Sequence, residues 1–305
     1  MGRRHAGVLA GFPDVELAGV ADVDGNSAAA LAQSCGTSPY ERAEALLEGE
    51  ALDAIYICVP PFGHGPPERA AIAAGVPFFV EKPLAADWDT PAALSDTVSE
   101  AGLVTPVGYH WRYLDTVERA AALLEDSPPR LVIGYWLDKV PPPPWWLDRR
   151  RSGGQTIEQT THVLDLIRLL VGEVEQVYAV GSRSERAAYP GSTVDDVSAA
   201  TLRFSSGAVG SLVSTCLLAA KHRAGLGQRT RQSVGGERLV IAHTDPVGLA
   251  LDRIDEVPVH PLLCVDPRGR DSGPVAAVER HVELGQGQRE PLREQLQPGT
   301  MLGRQ

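Results

Sequence analysis

The sequence predicts an α/β protein, a parallel-sheet domain followed by an α+β domain with a broad, mainly antiparallel sheet. Three observations predict it. Short apolar runs alternate with helical stretches through residue 108, the signature of βαβ units. Beyond it, strand-like runs follow one another with no helix between them. At 305 residues the chain is long enough for two cores. The division falls at 1–108 and 109–305, with a poorly defined tail from about 285.

In order, Val15–Val20 reads as a strand ending at Asp22, Ser27–Gln33 as a helix and Ala43–Leu47 as a second. Ala54–Val59 is a buried strand closed by Pro60-Pro61, and Glu68–Ala74 is a helix stopped by Gly75. Val76–Val80 is the next strand, Thr90–Ala101 a helix and Val104–Gly108 a strand. Tyr113–Leu124 has helical periodicity, Arg130–Asp138 is a strand, and Pro141–Pro144 with Trp145-Trp146 is a loop. Ile157–Val171 reads as one strong helix ended by Gly172. The strands Glu175–Ser182, Val197–Phe204 and Val209–Leu217 follow, the last two joined by the turn Ser205-Ser206-Gly207. Periodicity fades from Ala219, and Thr230–Arg238 and Gly285–Gln305 read as loop or tail.

A net charge of −11 argues against non-specific binding to nucleic acid or to an anionic membrane surface. No apolar run has the roughly 20 residues that span a bilayer, and no signal-peptide core follows the basic start, so the expectation is a cytoplasmic protein. Cys35, Cys58, Cys216 and Cys264 stand far apart without CxxC spacing, the pattern of buried reduced thiols and not of a metal site.

Lys82 follows the Val76–Val80 strand, at the carboxyl end where open α/β sheets bind ligands. It can give up a proton, as arginine cannot; it can equally serve as a charge solvating a strand end. Asp22 can accept hydrogen bonds from a ribose or simply terminate its strand. Pro60-Pro61 makes a stiff turn against which a planar ring can lie, and His64 either reaches a ligand or begins the next helix. Glu158 and His162, four apart on the expected helix, share a face with Asp165 a turn further on. They suit acid–base chemistry or a satisfied histidine at a domain contact, and Gly153-Gly154 lets the backbone approach a ligand closely.

Five motifs together carry a resemblance: Ala21-Asp22-Val23-Asp24, Val59-Pro60-Pro61-Phe62-Gly63-His64, Glu81-Lys82-Pro83-Leu84-Ala85, Val107 through Tyr113, and Gly153-Gly154-Gln155 with Glu158, His162 and Asp165. In this order and spacing the chain resembles the glucose–fructose oxidoreductase / inositol dehydrogenase (Gfo/Idh/MocA) family over about residues 1–222. The resemblance implies a Rossmann domain, NAD or NADP as hydride carrier, and a sugar, inositol or related polyol as substrate. It implies that Lys82 is the catalytic lysine, His162 the acid/base and Glu158 the residue in a place often held by aspartate. It places Asp22 on the cofactor ribose, Pro60 and His64 on the cofactor-lining loop, and Glu81 beside the nicotinamide end. Asp22 tilts the choice to NAD. Arg112, Tyr113 and Trp145 are candidate substrate contacts, Trp145 and Trp146 serving as a sugar platform or as interface packing. By analogy with the family, a homo-dimer or homo-tetramer is expected.

The family opens with a strand and a Gly-x-Gly-x-x-Gly turn, whereas this chain opens at Met1-Gly2-Arg3-Arg4-His5, with Gly2 aligned to the last of those glycines. The expectation is a start codon assigned too far downstream, with a diverged or frameshifted carboxyl end. A catalytically silent nucleotide-binding or regulatory protein, or a truncated inactive product, is the alternative to the enzyme.

Overall fold

The computed structural model describes residues 1–220 and the backbone of three further strands, Arg223–Arg231, Glu237–His243 and Val282–Glu283. The chain enters on helix α1 (Gly2–Leu9), followed by β1 (Gly19–Ala21), α2 (Gly25–Cys35), β2 (Ser38–Tyr40), α3 (Ala43–Gly49) and β3 (Ile55–Ile57). After α4 (Pro66–Ala74) come β4 (Phe78–Val80) and α5 (Asp89–Ala101). β1 pairs with β2 and β3 with β4, both in parallel, as two separate two-stranded sheets among the described residues. Parallel pairs joined through helices are the α/β arrangement expected from the alternating pattern.

Local chemistry sets the helix ends. Asp24 caps α2, accepting the Asn26 N–H at 3.1 Å and the Ser27 hydroxyl at 2.8 Å. α4 starts on Pro66 and stops at Gly75, whose φ of 70° is the left-handed conformation that glycine tolerates. Leu46, Ile55, Ile57, Ala71, Phe78 and Val80 form the buried core of this half.

Two strands here are shorter than the sequence implied. Val15–Val20 yields only β1, because its partner β2, a polar Ser-Pro-Tyr segment that apolar patterning missed, is itself three residues long. Val104–Gly108 lies beside β4 but carries only an isolated bridge at Val107. Its Val104 and Pro106 carbonyls accept from the Phe78 and Val80 N–H groups, and the Gly108 N–H returns to the Val80 carbonyl. Pro106 has no N–H with which to extend the ladder.

The second half is built on one seven-stranded sheet. It receives α6 (Asp115–Glu125), β5 (Pro129–Leu137), the short helices α7 (Arg149–Ser152) and α8 (Gly154–Glu158), and α9 (Thr161–Val171). β6 (Val174–Ser182), β7 (Val197–Phe204), β8 (Val209–Thr215), β9 (Arg223–Arg231), β10 (Glu237–His243) and β11 (Val282–Glu283) complete it in the order β10-β9-β5-β8-β7-β6-β11. Among the described residues only the β5–β8 pair of this sheet is parallel. β9 and β10 lie where the sequence showed no periodicity, and they shorten the Thr230–Arg238 loop at both ends; Gly285–Gln305 lies outside the described residues.

α9 packs on β5 through Val163 and Ile167, in a core with Val132, Phe204 and Leu212. Gly134 makes the approach possible, since a Cβ there would lie 2.8 Å from both Leu212 Cδ1 and Val163 Cγ1. On the opposite face of β5 to β8, among the described residues, Leu131, Ile133, Val209, Val197, Val180 and Tyr178 are exposed. Among the described residues no helix is long and apolar enough to cross a membrane.

The expected helix Ile157–Val171 is in fact two. α8 ends at Glu158, and α9 begins at Thr161. The Glu158 carbonyl, which an unbroken helix would offer to the His162 N–H, accepts instead from Lys82 Nζ, and His162 N–H turns to the Gln159 carbonyl. An ammonium from the other half of the chain thus takes the place of a helical hydrogen bond.

Candidate active site

Lys82 emerges from the end of β4 and meets Glu158 at the end of α8. Its Nζ lies 2.5 Å from the Glu158 carbonyl oxygen and 2.9 Å from Oε1. The lysine side chain is 14% and the glutamate 17% exposed, so the pair is largely withdrawn from water. The Trp146 indole N–H donates to Glu158 Oε2 at 3.2 Å, so both carboxylate oxygens have donors. Trp146 is 0% exposed, packed with Val140, Val194 and Cys216. Sequence reading offered both Trp145 and Trp146 as a platform or packing; Trp146 is the ring that bonds Glu158, while Trp145 is half-buried.

The break after α8 alters the expected geometry of Glu158 and His162. They do not share the face of one continuous helix. Glu158 faces Lys82, while His162 sits in an aromatic nest, 5.1 Å from the Trp111 ring and 5.0 Å from the His110 ring. One turn further on, Asp165 accepts two hydrogen bonds from one guanidinium edge of Arg112, from Nε at 2.7 Å and from Nη2 at 2.5 Å. This hydrogen bonding raises the already high guanidinium pKa, so Arg112 is a fixed cation committed to α9. Tyr113 beside it is 81% exposed. Trp145 stands edge-on to Phe62 at 5.9 Å, and the Arg151 guanidinium covers the other contact of Phe62 at 3.9 Å from the ring centre.

Of the residues expected around a cofactor, Asp22 is exposed just beyond β1, with Oδ1 held by the Asp24 N–H at 2.9 Å. Gly2 opens α1, whose amino end has no side-chain cap. Pro60 and Pro61 begin the turn after β3, with Pro61 buried. The His64 ring is fully buried beneath that turn, its Nδ1 2.6 Å from Glu68 Oε1, while Glu68 Oε2 accepts the Gly65 N–H at 2.6 Å. Glu68 thus ties His64 to the first turn of α4, next to the Pro60-Pro61 turn. Glu81 is buried and bonded to His5 at 2.7 Å. Neither Glu68 nor His5 was foreseen, because their partners stand four and 76 positions away with no shared motif. Cys58 is a packing residue: burial, reinforced by the Glu81 charge, pushes its thiol up to about 11.

Comparison with known proteins agrees with this architecture. Residues 1–109 match the family model "Oxidoreductase family, NAD-binding Rossmann fold", and residues 128–241 match "GFO/IDH/MocA C-terminal domain". The chain is 30% identical over 189 residues to D-xylose 1-dehydrogenase (NADP(+)) 2 of Haloferax volcanii, covering 59% of this chain and 58% of that protein. It is 30% identical over 182 residues to scyllo-inositol 2-dehydrogenase (NAD(+)) of Bacillus subtilis, covering 56% and 51%. The chain thus spans little more than half the length of these curated relatives. Among solved structures, the WlbA dehydrogenase from Bordetella pertussis in complex with NADH and UDP-GlcNAcA superposes with a TM-score of 0.71 at 25% identity, covering 84% of this chain and 78% of that one. With one family model matched over residues 1–109 and a second over 128–241, and the five motifs in place, the chain belongs to the Gfo/Idh/MocA oxidoreductase family.

Proposed function

We propose that the protein is an NAD(P)-dependent dehydrogenase acting on a secondary alcohol of a sugar, inositol or related polyol. Residues 1–108 would hold the cofactor and the remainder the substrate. The observation that carries this reading is the Lys82–Glu158 contact, which brings an ammonium and a carboxylate from the two halves to one point. The relatives' activities support it. Polyol-dependent growth of the near-ultraviolet absorbance of reduced nicotinamide, across a panel of sugars and inositols, tests it; a panel without any response would favour a catalytically silent nucleotide-binding protein.

The residues present fit a dinucleotide. Asp22 offers an exposed carboxylate to ribose hydroxyls, the uncapped start of α1 offers N–H donors to a pyrophosphate, and Pro60 offers a rigid surface. When bound, the nicotinamide supplies the hydride acceptor. The chain's own groups manage the proton and the charge. A lysine ammonium has three donors; two of those on Lys82 go to Glu158, and the third is assigned to the substrate oxygen as its negative charge develops. His162 takes the hydroxyl proton as general base. Glu158 holds Lys82 in place, and Arg112, Tyr113 and Trp145 border the sugar.

A carboxylate at position 22 repels a 2′-phosphate, so NAD is the preferred cofactor. Asp22→Ser is expected to weaken NAD and to improve NADP, moving the ratio of kcat/KM values by about tenfold, the factor for 1.4 kcal/mol; an unchanged ratio would remove Asp22 from the ribose site.

The apolar side chains exposed on one face of β5 to β8 among the described residues support association with a second copy. Placing arginine at Ile133 and Val180 is expected to reduce the sedimentation coefficient to that of the monomer. A wild-type protein that already sediments as a monomer would refute the dimer. The free thiols Cys35, Cys58 and Cys216 suit a reducing cytoplasm, which cell fractionation checks.

A further inference from the structure

Glu81 is a carboxylate with almost no access to water, 5% exposed. Such a group is stable only when donors replace its hydration. One donor is the His5 imidazole on α1, whose Nε2–H reaches Oε1 at 2.7 Å. The other is the backbone N–H of Lys82, 3.1 Å from Oε2. The third side of the box is Gly108, where a Cβ would lie 3.0 Å from Oε2 and 3.2 Å from the carboxyl carbon. His5 is itself held, its ring centre 5.6 Å from Tyr56 and 5.0 Å from Phe79, so β3 and β4 both fix the imidazole that fixes the carboxylate.

From this we propose that His5 is a positioning residue for Lys82, acting through Glu81. Lys82 is then pinned at both ends, by its amide on Glu81 and by its ammonium on Glu158. Without the imidazole, Glu81 Oε1 loses its donor, and the carboxylate turns toward water to replace it. That turn frees the Lys82 amide and loosens the ammonium from Glu158. The helix that opens the chain thereby sets the place of a group more than seventy residues away. The inference rests on the dehydrogenase reading for its catalytic consequence, but not for its geometry.

The test uses the lysines. Only Lys82, Lys139 and Lys221 occur in the sequence, so acylation by acetic anhydride can be followed at each by peptide mass spectrometry. In the full chain, His5→Ala is expected to raise the Lys82 rate about fivefold, the size of one net hydrogen bond, while Lys139 keeps its rate. His5→Gln, whose amide can still donate to Glu81, is expected to stay within about twofold of wild type. Glu81→Ala should match His5→Ala, and the double variant should add nothing, since both changes break the same link. If His5→Ala does not fold, Glu81→Ala and His5→Gln carry the comparison. Where turnover is present, kcat falls in His5→Ala and the KM for the nicotinamide cofactor stays. Unchanged Lys82 acylation with a lowered melting temperature would make His5 structural only and overturn the proposal, as would a rise in cofactor KM at constant kcat. Should wild type turn over no polyol, the dehydrogenase reading fails by itself, and the lysine rates still decide the role of His5.

Discussion

Lys82→Met is expected to lower kcat/KM by about 10²–10⁴-fold, the range for losing a proton-handling or charge-stabilising group. Methionine keeps most of the apolar stem and removes the ammonium. The contact with the Glu158 carboxylate and carbonyl is lost, and with it the donor assigned to the developing alkoxide. Cofactor affinity, measured by quenching of tryptophan fluorescence, should remain within about twofold, because the loss falls on the transition state and not on ground-state binding. A variant that turns over normally would take Lys82 out of the chemistry. One that loses cofactor binding to the same extent as turnover would make it a binding residue.

Trp146→Ala should carry the largest cost in stability. The ring is fully buried among Val140, Val194 and Cys216, and its indole N–H satisfies one oxygen of Glu158. Large-to-small replacement of a buried tryptophan costs about 3–5 kcal/mol, read as a fall in the urea midpoint. Trp146→Phe separates the two contributions, since it keeps much of the volume and drops the donor. It should unfold at a midpoint closer to wild type while losing activity. If Trp146→Phe is as active as wild type, the indole hydrogen bond does not orient Glu158.

Much of the fold was legible because its signals are local. The apolar runs of β3 and β4, the glycine after α4 and the helical periodicity of α9 depend on neighbouring residues. Legibility failed where long-range pairing decides. β2 is a polar tripeptide whose strand character comes from lying beside β1; β9 is a strand because β5 offers an edge, and β10 because β9 offers the next, not because their own residues alternate. The site divides in the same way. The motif order indicated Lys82, Glu158 and His162, yet a helical count of four misplaced Glu158. The helix breaks where Lys82 captures a carbonyl, and no periodicity records a hydrogen bond arriving from 76 residues away. The motif order indicated His64, but not Glu68, whose carboxylate holds its Nδ1.

Hydride transfer from a carbinol carbon is the central claim, and isotope transfer reads it directly. With a polyol that the absorbance panel selects, deuterated at the carbon to be oxidised, the reduced nicotinamide should gain one deuterium by mass spectrometry, and turnover should slow relative to the protiated substrate. Reduced nicotinamide without deuterium, or no reduction with any polyol of the panel, would contradict it.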